Sequence, residues 1–457
     1  MSLTVYLAMF GWIPFVIYLF RWVPAQRAVI VSFIIAWLFL PVVQFTLPGP
    51  DYTKMSATCY GILLATILFD VKRFSSLQLE WLDLPVVVWC LCPLASSLQN
   101  DLGIYDGFSA VFDQITTWGL PYYLGRLYLG NLEGIRKLAV DIFIGGLVYI
   151  PLCLFEMRMS PQLHRIVYGF HARSDFGQTI RFGGYRPTVF MEHGLMVGAW
   201  MMAATLIGIW LWRCGTIASV WGISANWLVA ALLLTTLLLK STGAIILLLL
   251  GLLVLFLSNR LHTSVLVWIL IGAISLYLYL GVTGKFPKDP IVDTISTTIN
   301  QQRAQSVQFR FDNEKLLSQK AREKIVFGWG GWGRSRVYDR RGKDISVTDS
   351  LWIITFGTKG LVGLVSLTTF LLLPAIAFMR NYPASRWNHP QVAPAAAIAL
   401  LLVLYTIDCL LNAMINPIYI LGCGALSGLA LLHKSKTNKK FLAAVAHQKT
   451  IASNTQT

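Results

Sequence analysis

The sequence predicts an all-α polytopic membrane protein of about 13 transmembrane helices (12–14), with two long external loops, the second partly helical. Three observations lead there. Hydrophobic residues make up 56% of the chain and charged residues only 13%, against roughly 25% charged in an average soluble domain. Nearly uncharged runs of about 18 residues or more recur, each long enough to cross about 30 Å of hydrocarbon. Lys and Arg in the short connections collect on alternate loops, as expected when one side faces the cytoplasm.

Thirteen candidate spans lie near 4–20, 27–47, 56–70, 84–99, 108–129, 137–157, 190–212, 219–239, 242–258, 263–282, 350–378, 391–411 and 415–433. The amino end, MSLTVYLAMFGWIPFVIYLFRW, has no basic n-region and no small-residue cleavage site, so it reads as a first span and not a removed signal. The seven cysteines fall in or beside apolar runs and read as small apolar residues. Cys90 and Cys92, two apart, do not have a zinc spacing.

One set of connections carries Arg21 and Arg27, Lys72 and Arg73, Arg126, Arg136 and Lys137, Arg213, Arg260, and Arg380 with Arg386. The tail after 433, with Lys434, Lys436, Lys439 and Lys440, joins that side. The basic side is read as cytoplasmic, which puts the amino end outside and the carboxyl tail inside. The organisation is then 1–157, spans 1–6; 158–189, an external loop; 190–282, spans 7–10; 283–349, a large external substrate-binding loop; 350–433, spans 11–13; and 434–457, a basic cytoplasmic tail. Long loops are exempt from the charge rule.

The second loop is the longest stretch too polar to lie in lipid. Residues 282–349 hold thirteen Lys or Arg against eight Asp or Glu, a net of +5. That charge suits anionic head groups, diphosphates or acidic glycans; a solvated positive surface is the plainer reading. The net charge of +16 is accounted for in this way and points to no nucleic acid. The run TISTTINQQRAQSVQFRFDNEKLLSQKAREKI reads as helix, with Phe309, Leu316 and Leu317 as a partial apolar stripe. Arg303 and Arg310, two turns apart, share a face. The helix stops at FGWGGWG, whose glycines allow positive φ and close backbone approach. Trp329 and Trp332 suit a membrane interface or a sugar-stacking surface. Arg334 follows, and Asp349 stands just before the chain turns apolar. Gly328, Gly330 and Gly333 match G-x-G-x-x-G, but no βαβ unit surrounds them, so the dinucleotide reading is set aside.

The first loop ends RFGGYRPTVFMEHGLMVG. Arg181 and Arg186 bracket a Gly-Gly turn, and His193 sits at the mouth of the next span. This cluster abuts the membrane, where charge is costly and tends to be functional. Asp113, Asp141 and Asp408 are intramembrane carboxyls, read either as proton carriers or as partners in helix-to-helix hydrogen bonds. Lys240 and Lys359 are placed near the outer interface, where their stems can snorkel.

At these residues the chain resembles the O-antigen ligase and O-antigen polymerase superfamily of bacterial envelope glycosyltransferases. The resemblance rests on Gln308-Phe309-Arg310, on Phe327 leading into Gly328-Trp329-Gly330-Gly331, and on Thr348-Asp349-Ser350-Leu351-Trp352. Arg181-Phe182-Gly183-Gly184 through His193-Gly194-Leu195 resembles an earlier motif, and Lys240-Ser241-Thr242-Gly243-Ala244 a short Ser-Arg-Gly-Ala turn. It covers roughly 180–365; the flanks match in hydropathy. Ligases of the family carry a His near the entry to the late span; here that place shows Asp349. His193 stands where Asn is frequent.

The resemblance implies a polyprenyl-diphosphate-linked glycan donor, a glycan or lipid acceptor, and reaction at the outer face of the bacterial cytoplasmic membrane. Membrane lipid, and a chain-length regulator or flippase, are the implied partners. Arg310, Asp349 and His193 are the candidate catalytic residues. Arg181, Arg186, Arg303, Trp329, Trp332 and Arg334 are the candidate diphosphate and glycan ligands. Arginine forks onto phosphate oxygens and stays protonated, so neither a metal nor a cofactor is expected. Asp349 or His193 would take the acceptor proton. Polymerase is preferred to ligase because the ligase-type His is missing. Secondary transport of an anionic solute and a non-catalytic envelope scaffold are the other classes.

Overall fold

The structure, a computed structural model, describes residues 2–46, 51–76, 78–173, 176–181, 183–287, 290, 293, 296–297, 301–331 and 333–433, without the side chains of 76, 178, 181, 302–304, 306 and 307. It is mostly helical. Among the described residues, seven helices are long and apolar enough to cross a membrane: Leu3–Trp22 (α1), Trp81–Gln99 (whose α-helical part, Leu84–Gln99, is α4), Leu132–Met159 (α7), Gly194–Arg213 (α9), Thr242–Leu261 (α11), Val265–Thr283 (α12) and Leu351–Asn381 (α14). Five shorter apolar helices accompany them: Ala25–Phe39 (α2), Lys54–Phe69 (α3), Ala225–Leu238 (α10), Ala393–Cys409 (α15) and Pro417–His433 (α16). The predicted tail lies outside the described residues.

The span expected over 108–129 is not one helix. It divides into α5 (Ile104–Gln114), a π-helical turn at Ile115–Gly119, and α6 (Leu120–Leu129). Gly119 and Pro121 at the junction weaken regular hydrogen bonding there. The span expected over 219–239 starts later because a short hairpin takes its end: Ser219–Val220 pairs with Ile223–Ser224 before α10. Ile180–Arg181 pairs with Gly184–Tyr185 between a short helix, α8 (Leu163–Tyr168), and α9.

α15 is the centre. Its sequence, APAAAIALLLVLYTIDC, is apolar all round, and residues 393–406 are buried throughout. A helix apolar on every face belongs inside, and its alanines let α7, α9 and α14 come close. α16 meets α6 through Gly424 and Gly428, a small-xxx-small pair. A Cβ on Gly424 would run into the Tyr122 carbonyl oxygen, and one on Gly428 would lie 2.7 Å from the Gly130 Cα. By contrast α1 and α12 leave Leu3, Leu7, Ile269 and Leu276 exposed, the pattern of a lipid-facing surface.

The ends of the bundle differ chemically. At one end Arg126 pairs with the buried Asp83, and Arg27 stands 3.6 Å from Asp141. Asp141 is thus an ion-pair partner, and Asp408 accepts the Asn412 side-chain amide at 2.7 Å. At the opposite end lie the two long connections. α7 finishes there with Glu156, fully buried, whose carboxylate accepts the N–H groups of Leu163, Thr188 and Val189 at 2.8, 2.9 and 2.7 Å. One side chain thereby fixes both ends of the first loop. Glu156→Ala orphans three backbone donors, of which the buried Val189 N–H alone costs about 1–3 kcal/mol. It is expected to lower the melting temperature of the detergent-solubilised protein by several degrees; an unchanged melting curve would contradict this anchoring.

Candidate functional site

The second loop is organised by a break in α14. Gly360 adopts φ 63°, ψ −160° inside that helix, so Leu361 and Val362 cannot donate to Gly357 and Thr358 in the usual i to i−4 pattern. All four backbone groups are taken up by residues 325–330. Trp329 N–H donates to the Gly357 carbonyl at 2.9 Å and Gly330 N–H to Thr358 at 3.0 Å. Leu361 N–H donates to the Ile325 carbonyl at 2.8 Å and Val362 N–H to Val326 at 3.2 Å. From α4, Ser96 Oγ donates to the Thr358 carbonyl at 2.8 Å and Asn100 Nδ2 to Gly328 at 2.9 Å. The FGWGG turn is therefore a backbone wedge. Buried peptide groups away from water need partners, and each member of the gap finds one.

Trp329 clasps the wedge to the preceding helix, α13 (Gln301–Arg322). Its Nε1 donates to the Lys320 carbonyl at 2.8 Å, and Lys320 Nζ lies 3.8 Å from its ring centre. That ring face is occupied within the protein. α13 uses the predicted apolar stripe only in part: Leu317 is buried, but Phe309 is 55% exposed. Its buried face is Asn313, Leu317, Ser318 and Ala321, a helical spacing shared equally between polar and apolar residues.

Arg310 and Glu314, four apart, share a face of α13. Arg310 Nη1 donates to the Leu411 carbonyl at 3.2 Å. Glu314 accepts from three donors on two elements: Tyr277 OH at the end of α12 (2.8 Å), and Ser350 Oγ (2.9 Å) and Trp352 Nε1 (3.2 Å) at the start of α14. Burial raises the Glu314 carboxyl above the usual glutamate range, against the opposing pull of those three donors and of the Arg310 charge. A cavity of about 150 Å³ opens beside it, lined among others by Tyr277, Phe286, Phe311, Glu314, Lys315 and Trp352.

A second cluster forms around α9. The hairpin of Ile180–Arg181 and Gly184–Tyr185 turns through Gly183, at φ 67°. Arg186 follows, 9% exposed; its Nη2 donates to the Lys240 carbonyl at 3.2 Å, and its stem fills the space over Gly194. Lys240 holds a left-handed φ of 56° and sets its ammonium against Gly184. His193 caps α9, its Nδ1 accepting the Leu195 N–H at 2.9 Å, which makes Nε2 the protonated nitrogen of the neutral ring.

The predicted residues thus divide. Arg186 and His193 belong with Lys240, and Arg310 with Glu314. Asp349 is exposed, one residue before the Glu314 partner Ser350. Arg334 is exposed with its stem near Gly331. Trp332 and the side chains of Arg181 and Arg303 lie outside the described residues; the backbone puts Arg181 in the hairpin and Arg303 on α13. Glu314 and the α4 pair Ser96 and Asn100 were missed. For Glu314 the i, i+4 relation to Arg310 was a readable signal; for Ser96 and Asn100 the sequence held none.

No protein-family model matches the sequence, and no curated protein matches it.

Proposed function

We propose that the protein is a membrane glycosyltransferase. In this reading it polymerises, in preference to ligating, polyprenyl-diphosphate-linked oligosaccharide units on the extracytoplasmic face of the bacterial cytoplasmic membrane. About 13 spans, with the amino end outside and the carboxyl tail inside, belong to the same proposal. The observation that carries it is that Arg310 and the part-buried carboxylate of Glu314, whose charges act on one another, share one face of a helix docked at the loop end of the bundle. The acceptor hydroxyl gives its proton to a carboxylate as its oxygen bonds to the anomeric carbon. The bond from that carbon to the diphosphate breaks, and polyprenyl diphosphate leaves with the electron pair. Arg310 faces the charge that gathers on the leaving group, which is electrostatic catalysis. Glu314, raised in pKa by burial, joins Asp349 and His193 as a base candidate and has the most enclosed position.

Mass spectrometry of lipid-linked glycans in a deletion strain, and in the strain carrying Arg310→Ala, tests this. Single repeat units are expected to accumulate in both. Long lipid-linked chains would make the protein a ligase, and an unchanged pool would overturn the glycan reading. One observation favours secondary transport of an anionic solute as the alternative: an apolar helix broken at Gly360 with Lys359 beside the break. Solute uptake by proteoliposomes free of glycan would establish that class.

A further inference from the structure

We infer that a second cavity, at the start of α3, is a subsite for one acidic monosaccharide at the acceptor end of the reaction; the word acceptor rests on the glycosyltransferase reading. The cavity measures about 260 Å³, close to the low end of the roughly 300–1,000 Å³ of small-molecule sites, so it takes one sugar unit and not a chain. Trp37, Lys54, Thr58, Thr117, Glu192 and Ala413 are among its lining residues.

Three features suit an anionic polyol. Lys54 is part-buried; its Nζ donates to the Trp37 carbonyl at 3.3 Å and lies 4.7 Å from the Trp37 ring centre. No carboxylate lies within 4.0 Å of that ammonium among the described residues; the one whose charge acts on it, Glu192, stands farther off in the same lining. A part-buried cation with spare donors is stabilised by an anion entering the cavity. Thr117 belongs to the π-helical turn Ile115–Gly119, a distortion that recurs at functional sites. Thr117 lines the same space, and its hydroxyl makes no hydrogen bond among the described residues. Glu192, exposed at the rim, offers an acceptor for sugar hydroxyls. Thr58 has its proton committed to the Lys54 carbonyl and accepts from Trp12, so it shapes the wall.

Position ties this cavity to the chemistry. Ala413 borders it, and two residues earlier Leu411 accepts the Arg310 guanidinium. A sugar held by Lys54 is separated from the diphosphate-facing arginine by one short connection. Its carboxylate meets Lys54, while its hydroxyls meet Thr117 and Glu192.

The test is saturation-transfer NMR on the full chain in detergent, with D-glucuronate, D-glucose and inorganic phosphate as probes. Glucuronate is expected to bind more tightly than glucose. Lys54→Met is expected to weaken glucuronate by at least about tenfold, the loss of one charge-assisted hydrogen bond, and to leave glucose unchanged. Thr117→Val, a milder change, is expected to weaken both sugars. Equal binding of glucuronate and glucose, or an unchanged Lys54→Met protein, overturns the subsite. Phosphate displacing glucuronate at equal strength overturns it in favour of a phosphate or lipid-headgroup site. Arg310→Ala is expected to leave glucuronate binding intact, so failure here and failure of the glycosyltransferase reading are read separately.

Discussion

Gly360→Ala is expected to destabilise the protein by at least about 3 kcal/mol, and Gly328→Ala by a similar amount. Each glycine holds a left-handed φ, 63° and 70° respectively, which alone costs a side chain about 1–3 kcal/mol. Each also lacks room. A Cβ at Gly360 would collide with the Val326 carbonyl, and one at Gly328 would lie 2.5 Å from the Lys359 nitrogen. These are backbone atoms, so relief requires pulling the wedge out and orphaning the peptide groups it serves. Gly243→Ala is the control, since nothing lies within 4 Å of its Cβ position. Melting curves and detergent-soluble yield would separate the three. A Gly360→Ala protein that melts with the control would show that the wedge does not hold the break.

On the glycosyltransferase proposal, Arg310→Lys is expected to lower turnover by about 10²-fold or more, the usual loss when one donor facing developing charge is removed or misplaced. Full activity in that variant would count against a forked contact. Glu314→Gln is expected to reduce turnover strongly while keeping most of the fold, because an amide oxygen still accepts from Ser350 or Tyr277. The pH profile sharpens the test. Burial raises the Glu314 carboxyl, so the acid limb of the activity profile lies above the ordinary glutamate value of about 4.3. A base must be ionised, so activity falls as pH drops through the raised value, and Glu314→Gln removes that limb. Stability runs the other way. A raised carboxyl favours the protonated folded state, so its contribution is full below about pH 4.3 and is lost as pH rises through the folded value. A limb that survives Glu314→Gln would return the base role to Asp349 or His193.

The helical, apolar architecture was legible because hydropathy depends on composition along one segment. The loop helix was legible too, since the run around 301–322 has helix formers and no Gly or Pro. Its docking face was not. Asn313 and Ser318 are buried because they meet a polar end of the bundle, and polar residues carry no hydrophobic period. The break in α14 was hidden for a related reason: LWIITFGTKGLVGLVSL reads as one continuous span, and a single Gly360 is ordinary in such a helix. Only the partner, FGWGG, makes the break affordable, and the two lie about 30 residues apart. Arg310 stood out in the sequence as a cation of the loop helix, whereas Glu314 went unremarked because its significance depends on Tyr277, Ser350 and Trp352, from two other helices.

The wedge also constrains how the chain is made. Residues 325–330 leave the ribosome before 357–362, yet neither segment satisfies its peptide groups without the other. The first part of α14 must therefore enter the bilayer with Gly357, Thr358, Leu361 and Val362 unpaired, or wait in a wet channel until the loop has folded back. Assembly of this end of the protein is a docking step between two separately made pieces. A nascent chain arrested after 350 holds a complete loop with no seat, and its wedge stays open to proteolysis until α14 follows.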